Sequence, residues 1–404
     1  MREGWRTAKL ADLCEFRNGL WKGKKPPYVH VGVIRNTNFR ADGSLDDSDI
    51  AYLDVEQKQF EKRSLQYGDL ILEKSGGGPK QPVGRVVLFD KEDALYSFSN
   101  FTSVIRVLDS SHLDFNYLHR VLYWYYLSGA TEMMQRRSTG IRNLDFGAYK
   151  ALDIPLPPLP EQKRIVAILD EAFAGIATAV ANTEKNLANA RELFESYLSA
   201  VFSQQGEGWK ERSLADVCVN LDSKRVPITK SKRMSGEIPY YGASGVVDHV
   251  ADYIFDEDLL LVSEDGANLL ARTYPIAFSI SGKSWVNNHA HVLRFDAIES
   301  QRFIEYYLNS ISLEPYVSGM AQPKLNQKAL NSIKVPFPPF DKQRVVVEKL
   351  DEIASGKRQL SDIHRQKLNA LSGLRQSLLQ KAFSGELTAG KAASDAMSQV
   401  EEIA

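Results

Sequence analysis

The sequence predicts an α+β chain: two mixed α/β heads, joined and separated by two long antiparallel helices that form a coiled-coil spacer, all in a pseudo-two-fold internal duplication. Three observations predict it. Gly4-Trp5 with Leu10-Ala11-Asp12-Leu13-Cys14 recurs as Gly208-Trp209 with Leu214-Ala215-Asp216-Val217-Cys218, at an offset of 204. Ile154-Pro155-Leu156-Pro157-Pro158 recurs as Val335-Pro336-Phe337-Pro338-Pro339, at an offset of 181, and the match runs on through Gln162 and Gln343. After each proline stop comes a helical apolar period that ends in Val201-Phe202-Ser203 or Ala382-Phe383-Ser384. The offsets differ by 23, so the first half holds 23 more residues between its markers.

The elements then fall in order: head one over 1–155, a spacer helix over 156–205, head two over 206–336, a second helix over 337–385, and a tail over 386–404 expected to be flexible. The double prolines cannot donate backbone hydrogen bonds and push their neighbours into extended geometry. Helices start just beyond, with Pro160 suited to a first turn and Asp341 to an N-cap. In the first helix Phe173, Val180, Leu187, Phe194 and Val201 share one line, with Ile176 and Tyr197 on the neighbouring line. In the second, Leu350, Ile353, Leu360, Leu371, Leu374 and Leu378 form the seam, which Lys357 and His364 interrupt. Rods of roughly forty residues, about 60 Å, must bury such a stripe, and each is the other's expected partner. Gly175 and Gly356, at equivalent positions, allow either close approach or simple tolerance. Antiparallel packing returns the C-terminus toward head one.

Composition narrows the class. A chain of 404 residues suffices for two or three domains, and 43% hydrophobic with 25% charged residues is ordinary for a globular protein. No uninterrupted apolar run approaches eighteen residues, so no membrane span is expected, and the N-terminal segment lacks a signal-peptide core, which points to the cytoplasm. Cys14 and Cys218 offer neither a disulfide framework nor metal-ligand spacing, and read as small buried residues. A net charge of −1 counts against a free-standing, non-specific nucleic-acid binder but permits local basic patches.

Such patches recur at equivalent places in both heads. Head one offers Lys22, Lys24, Lys25, Arg35, Asn36, Lys74, Ser75 and Lys80, then Arg136, Arg137, Ser138, Thr139, Arg142 and Asn143 before the proline stop. Head two offers Lys224, Arg225, Lys230, Lys232, Arg233, Tyr241, Asn268, Lys283, Asn288 and His289, then Gln322, Lys324 and Asn326. Lys and Arg make phosphate contacts, while Arg, Asn and Gln can read base edges bidentately. Any one cluster alone reads as a solvated loop; recurrence favours DNA contact. Short helices are expected around Phe115–Tyr126 and Arg302–Asn309.

Catalytic motifs fail on spacing. Ser281-Gly282-Lys283-Ser284 has Ala277 where a phosphate loop needs glycine. Gly76-Gly77-Gly78 lacks dinucleotide spacing, and Gly242-Ala243-Ser244-Gly245 is not a nucleophile elbow. No carboxylate cluster recurs with metal-ligand spacing, and Pro338-Pro339-Phe340 follows Phe337 rather than the Asn of an amino-methyltransferase.

On the two proline–helix motifs, Ile154 to Gln162 and Val335 to Gln343, the chain resembles the specificity (S) subunit of type I restriction–modification systems. Ile238-Pro239-Tyr240-Tyr241-Gly242-Ala243-Ser244-Gly245 and Glu264-Asp265-Gly266-Ala267-Asn268 resemble one of that family's target-recognition domains. The resemblance implies a non-catalytic subunit that reads a bipartite double-stranded DNA site and holds two methyltransferase subunits. Those partners would bind S-adenosylmethionine, this chain would hold no cofactor, and restriction subunits would join for cleavage. Two-fold-related heads would read opposite strands at a separation of about 34–36 Å, and their differing loops imply an asymmetric target. Two other readings are a single-chain methyltransferase or nuclease with atypical motifs, and a coiled-coil adaptor with two protein-binding heads. Methyl transfer by the chain alone would favour the first; salt-sensitive, sequence-specific DNA binding would exclude the second.

Overall fold

A computed structural model describes residues 4–20, 23–78, 81–92, 95–138, 141–204, 206–319 and 322–389. The chain divides into two compact units, Met1–Thr183 with Arg365–Ala404, and Glu184–His364. The division cuts through both long helices, so each unit contains one head, the start of one helix and the end of the other.

The first head runs β1 (Arg6–Lys9), α1 (Leu10–Leu13), β2 (Cys14–Asn18), β3 (Tyr28–Ile34), β4 (Ala51–Glu56), α2 (Gln57–Glu61), β5 (Leu70–Glu73), β6 (Ser75–Gly77) and β7 (Val86–Leu88). It continues with β8 (Tyr96–Phe98), β9 (Thr102–Val107), α3 (Phe115–Leu127), β10 (Gln135–Ser138), β11 (Ile141–Leu144), α4 (Phe146–Lys150) and β12 (Asp153–Leu156), and α5 (Leu159–Ser203) follows. Its sheets have the orders β2-β9-β5-β7, β4-β3-β8 and β10-β11-β6, with a β1-β12 ribbon.

The second head runs β13 (Lys210–Ser213), β14 (Val219–Asn220), β15 (Ser235–Gly242), β16 (Gly245–Val250), β17 (Phe255–Asp256), β18 (Leu259–Ser263), α6 (Asn268–Ala271) and β19 (Ala277–Ile280). Then come β20 (Lys283–Val286), β21 (Ala290–Arg294), α7 (Ile298–Ser310), α8 (Gln327–Ser332) and β22 (Lys334–Phe337), and α9 (Phe340–Ser384) follows. Its sheets are β14-β21-β18-β19, β16-β15-β20-β17 and a β13-β22 ribbon.

The central sheets repeat in order and register. Leu70 pairs with Ile105 as Leu260 pairs with Leu293. Strands β5 and β18 are apolar up to their last residues, Glu73 and Ser263, because both of their faces are covered: Leu70 and Leu72 join one core and Ile71 another, as Leu260 and Val262 separate from Leu261. The offset of 204 at β2 falls to 190 at β5, so most of head one's extra residues lie between those strands.

Framework hydrogen bonds repeat as well. Leu10 N–H donates to Leu152 O and Leu214 N–H to Ile333 O, each at 2.9 Å. Pro155 and Pro336 sit in two-stranded ribbons, where an absent N–H costs no central ladder bond, and the double prolines follow directly after. Buried Gln162 and Gln343 each donate Nε2–H to a proline carbonyl, Pro157 O and Pro338 O, both at 2.8 Å. Arg120 pairs with Asp170 at 2.7 Å, and Arg302 with Asp351 at 2.6 Å.

Each long helix has 45 residues. In the first unit Ile165, Leu169, Ala172 and Ile176 from the start of α5 share a core with Leu371, Leu374, Leu378 and Phe383 from the end of α9. The second unit reverses the roles: Leu198 and Phe202 from the end of α5 meet Val347, Leu350 and Ala354 from the start of α9. The helices are therefore antiparallel in both. Phe383 packs edge-on to Tyr117 at 5.7 Å, and Phe202 to Phe303 at 5.3 Å.

Of the expected seam, Phe173 and Val180 in the first unit and Phe194 and Tyr197 in the second are partly buried against these cores. Leu187, Val201 and Ile353 are half-buried, and Leu360 is exposed. The stripe thus packs on the heads as much as on its partner helix. A Cβ at Gly356 would meet nothing within 4 Å, so no close helix approach requires that glycine. Asp341 lies inside the first turn of α9 rather than capping it, and α7 begins at Ile298, ahead of the expected Arg302. Leu387 is buried and the Thr388 hydroxyl donates to Glu161, so packing continues into the segment expected to be flexible; residues 390–404 lie outside the described residues. By length and composition α5 could cross a membrane, with a window of mean hydropathy 1.5; apolar residues near its two ends pack into the two cores.

Gln162 also accepts from Asp114 N–H at 2.9 Å and donates to His112 O at 2.9 Å. Gln162→Leu would strand these buried groups, and unfolding free energy is expected to fall by about 3 kcal/mol. A denaturant midpoint unchanged from the native chain would contradict this.

Candidate nucleic-acid interface

In the first head the β10–β11 hairpin is laid onto β6, with Arg142 opposite Gly77 and Asn143 opposite Ser75. Leu144 N–H donates to Lys74 O at 2.8 Å, and the Ser75 hydroxyl to Asn143 Oδ1 at 2.5 Å. Lys74, Ser75, Arg142 and Asn143, far apart in sequence, are thereby brought together. Gly76 has φ +96°, and a Cβ at Gly77 would lie 2.8 Å from Gln81 O, so the first needs glycine for its conformation and the second for a close backbone approach. Lys74 Nζ donates to Asn18 Oδ1 at 2.8 Å, and burial pushes its ammonium pKa down.

Several side chains here are committed to the fold. Asn36 donates to buried Glu73, which Arg85 grips at 2.7 Å. Arg35 reaches Asp49 O at 3.0 Å, Arg142 lies 3.6 Å from Glu132, and exposed Arg136 pairs at 2.5 Å with Asp145, the N-cap of α4. Lys24 and Lys25 are exposed, their main-chain N–H groups donating to Glu56. Lys22, Lys80 and Thr139 lie outside the described residues, as do the side chains of Arg137 and Ser138.

The second head repeats the frame with other chemistry. Leu325 N–H donates to Glu264 O at 2.8 Å, as Leu144 does to Lys74, and Lys324 bridges to Asp265 where Asn143 pairs with Ser75. Ser318 and Lys324 exchange backbone hydrogen bonds and close a tight loop, on which Gln322 is exposed. Asn326 caps α8 through Ala329 N–H at 2.9 Å. His289, with its backbone in the place of Phe101, pairs with Asp265 at 2.8 Å beside exposed Asn288. Lys224, Lys230 and Lys232 are exposed, and exposed Lys283 lies 4.7 Å over the Tyr253 ring.

Four residues expected at this surface are instead used inside the head. Arg225 binds Glu264 at 2.6 Å and Ala290 O at 2.7 Å. Arg233 stacks 4.3 Å over Tyr240 and pairs with Asp248 at 2.9 Å. Buried Asn268 accepts from Thr273 N–H and donates to Tyr274 O, both at 2.9 Å, which staples its own loop. Tyr241 is half-buried against Phe278.

Sequence reasoning missed Asp222, Glu264 and His291, which with Arg225 and Lys324 form one charged cluster. A lone histidine within the apolar strand Ala290–Arg294 carries no sequence signal beyond core packing. Among the described residues no group of three or more His, Cys, Asp or Glu could hold a metal ion. Burial pushes both cysteine thiols up to about 12, which leaves them protonated and inert near neutral pH.

This chain belongs to the type I restriction modification DNA specificity domain family, which matches residues 2–187 and again 206–372. It is a DNA specificity subunit of a type I restriction–modification system; catalysis belongs to the modification and restriction subunits, and S-adenosylmethionine to the modification subunits. The type I restriction enzyme StySPI specificity subunit of Salmonella potsdam is 21% identical over 428 residues, 96% of this chain and 90% of that protein. A Haemophilus influenzae protein described as such a subunit is 35% identical over 147 residues, 36% of this chain and 37% of that one. The same fold occurs in a structure of assembly and conformational transition in the type I R-M system, with TM-score 0.78, 19% identity, and coverage of 96% of this chain and 99% of that one. The HsdS subunit from Thermoanaerobacter tengcongensis superposes with TM-score 0.59, 20% identity, and coverage of 96% and 98%.

The charged cluster has a pH signature. Burial is the largest single effect and would raise the Asp222 and Glu264 carboxyl pKa values, but His291, Val292 N–H and Arg225 together outweigh it at Asp222, as Arg225, His291 and Lys324 together do at Glu264, holding both below their ordinary 3.8 and 4.5. Depressed folded-state values contribute stability above the ordinary range that is lost as pH falls through them, so the second head weakens below about pH 4. Asp222→Asn should cost about 3 kcal/mol near neutrality, and much less near pH 3. Denaturant curves at the two pH values check this; an equal cost at both would refute it.

Proposed function

We propose that each head reads one half of a bipartite, asymmetric double-stranded DNA site in the cytoplasm. On this reading α5 and α9 set the spacing and dock two methyltransferase subunits, with restriction subunits joining for cleavage. The observation that carries it is the shared frame with exchanged side chains: Ser75 and Asn143 in one head occupy the backbone positions of Asp265 and Lys324 in the other. A neutral hydrogen-bonded pair in one head and two charged side chains in the other present different chemistry to a base edge, so the half-sites differ. Arg142, His289, Asn288 and Gln322 flank these positions, and Lys24, Lys25, Lys224, Lys230 and Lys232 are placed to meet phosphates. Arg225, Arg233 and Asn268 are not among the readers, their polar groups being spent internally. Methylation-aware sequencing of DNA from cells carrying the complex should recover two unlike half-sites at fixed spacing; a palindromic site would sink the reading.

Lys230 and Lys232 are exposed on one short turn. Replacing both by Ala should weaken DNA binding about equally for all sequences and lower the salt-dependence slope by roughly one to two. A change in half-site preference instead would assign them to base reading.

Docking of partners is supported by a groove of about 570 Å³ between α5 and α9 in the second unit. Phe194, Ile353 and Leu360 line it with Leu193, which is 71% exposed. A Leu193→Glu, Leu360→Glu chain should keep its melting temperature within about 3 °C yet lose methyltransferase co-purification. Retained assembly would place docking elsewhere.

A further inference from the structure

We propose that His291, buried beneath the second head's reading loop, is the positioning residue that holds the loop in place for recognition. This rests on the DNA-reading role proposed above. Its ring is hemmed in by two acceptors: Nδ1 lies 2.6 Å from Asp222 Oδ2, and Nε2 lies 2.7 Å from Leu325 O. Each contact uses a different ring nitrogen, so the imidazole spans the gap between the Asp222 carboxylate and the Leu325 carbonyl. The second oxygen of Asp222 accepts Val292 N–H at 2.8 Å, which fixes the carboxylate to β21 and the ring to that carboxylate. The chain of contacts thus runs from the central sheet through the imidazole to the carbonyl of a loop residue.

Leu325 is the hinge of that loop. Its N–H is held by Glu264 O, and the preceding Lys324 reaches Glu264 Oε1 at 3.1 Å. Glu264 Oε2 is in turn held by Arg225 Nη1 at 2.6 Å. Two carboxylates therefore sit among His291, Arg225 and Lys324. Lys324 alone among the three is substantially exposed, with 53% of its side chain accessible. The cluster thus turns its Lys324 ammonium outward at the position proposed to meet DNA.

Head one shows why this head needs the clamp. There Ser103 takes the position of His291, since Leu72 pairs with Ser103 as Val262 pairs with His291. The first head's hairpin has four paired positions within itself and two more onto β6. In the second head the reading loop has two isolated bridges, Asp265 to Lys324 and Ser318 to Lys324. Where a backbone ladder is short, side chains must supply the rigidity that specific reading requires.

The test is His291→Gln in the full chain assembled with its methyltransferase subunits. Methylation rates are compared on duplexes that carry single base changes in either half-site. Hydrogen exchange is followed in the free chain. Discrimination at the half-site read by head two should fall about tenfold, with the other half-site changed by less than about twofold. Exchange over residues 318–326 should quicken while β18 and β21 keep their protection. Unchanged discrimination at both half-sites overturns the proposal, whatever the exchange. Equal loss at both half-sites, or loss of β18 and β21 protection, also overturns it by making His291 a general core residue. If the unaltered complex shows no sequence preference, DNA reading itself fails, and exchange still decides whether His291 anchors the loop.

Discussion

The apolar stripes of α5 and α9 need cover along their length, and neither head closes its core with residues of its own. Leu371, Leu374, Leu378 and Phe383 complete the core around Leu118, Val121 and Leu122, while Leu198 and Phe202 complete the one around Phe303 and Ile304. Burying a residue of this size contributes roughly 1.5–3 kcal/mol, so several together rival the whole margin of stability of a domain. Everything else follows from that sharing. The first unit is built from two separate stretches of chain, Met1–Thr183 and Arg365–Ala404, and the ends of both helices must reach a head in register. The buried glutamines beyond the proline stops then fix where each helix begins.

The parts legible in the sequence were those that local chemistry dictates. Proline stops, the Gly-Trp markers and the heptad lines depend on a residue and its near neighbours, and the duplication shows each of them twice. Residues 152–172 and 333–353 need no partner information to be matched. What the sequence hid depends on pairs remote in sequence. Arg225 reads as a free cation until Glu264, 39 positions away, is placed beside it. Asn268 reads as a base reader until its loop folds back onto it, and Leu387 reads as tail until the α3 core is assembled. His291 was invisible for a related reason: its two acceptors lie 69 and 34 positions away.

The two heads also divide labour between backbone and side chain in different proportions. The first holds its hairpin with a three-stranded ladder and can place neutral Ser75 and Asn143 on top. The second has a shorter ladder, reinforced by buried charge. A buried ionic cluster is weak as a source of stability but strict about geometry, because any displaced member leaves an uncompensated charge. The first head's Glu73–Arg85 pair, at 2.7 Å, braces the neighbouring loop with the same chemistry on different elements.

The anchoring bonds at the loop bases, Leu144 N–H to Lys74 O and Leu325 N–H to Glu264 O, run from backbone to backbone. Such bonds are indifferent to the identity of the side chains beside them. Residues 75, 143 and 265 can therefore change without disturbing those bonds. On the proposed reading, the recognised sequence could shift there while the same skeleton is inherited, much as a lock keeps its case when its pins are replaced.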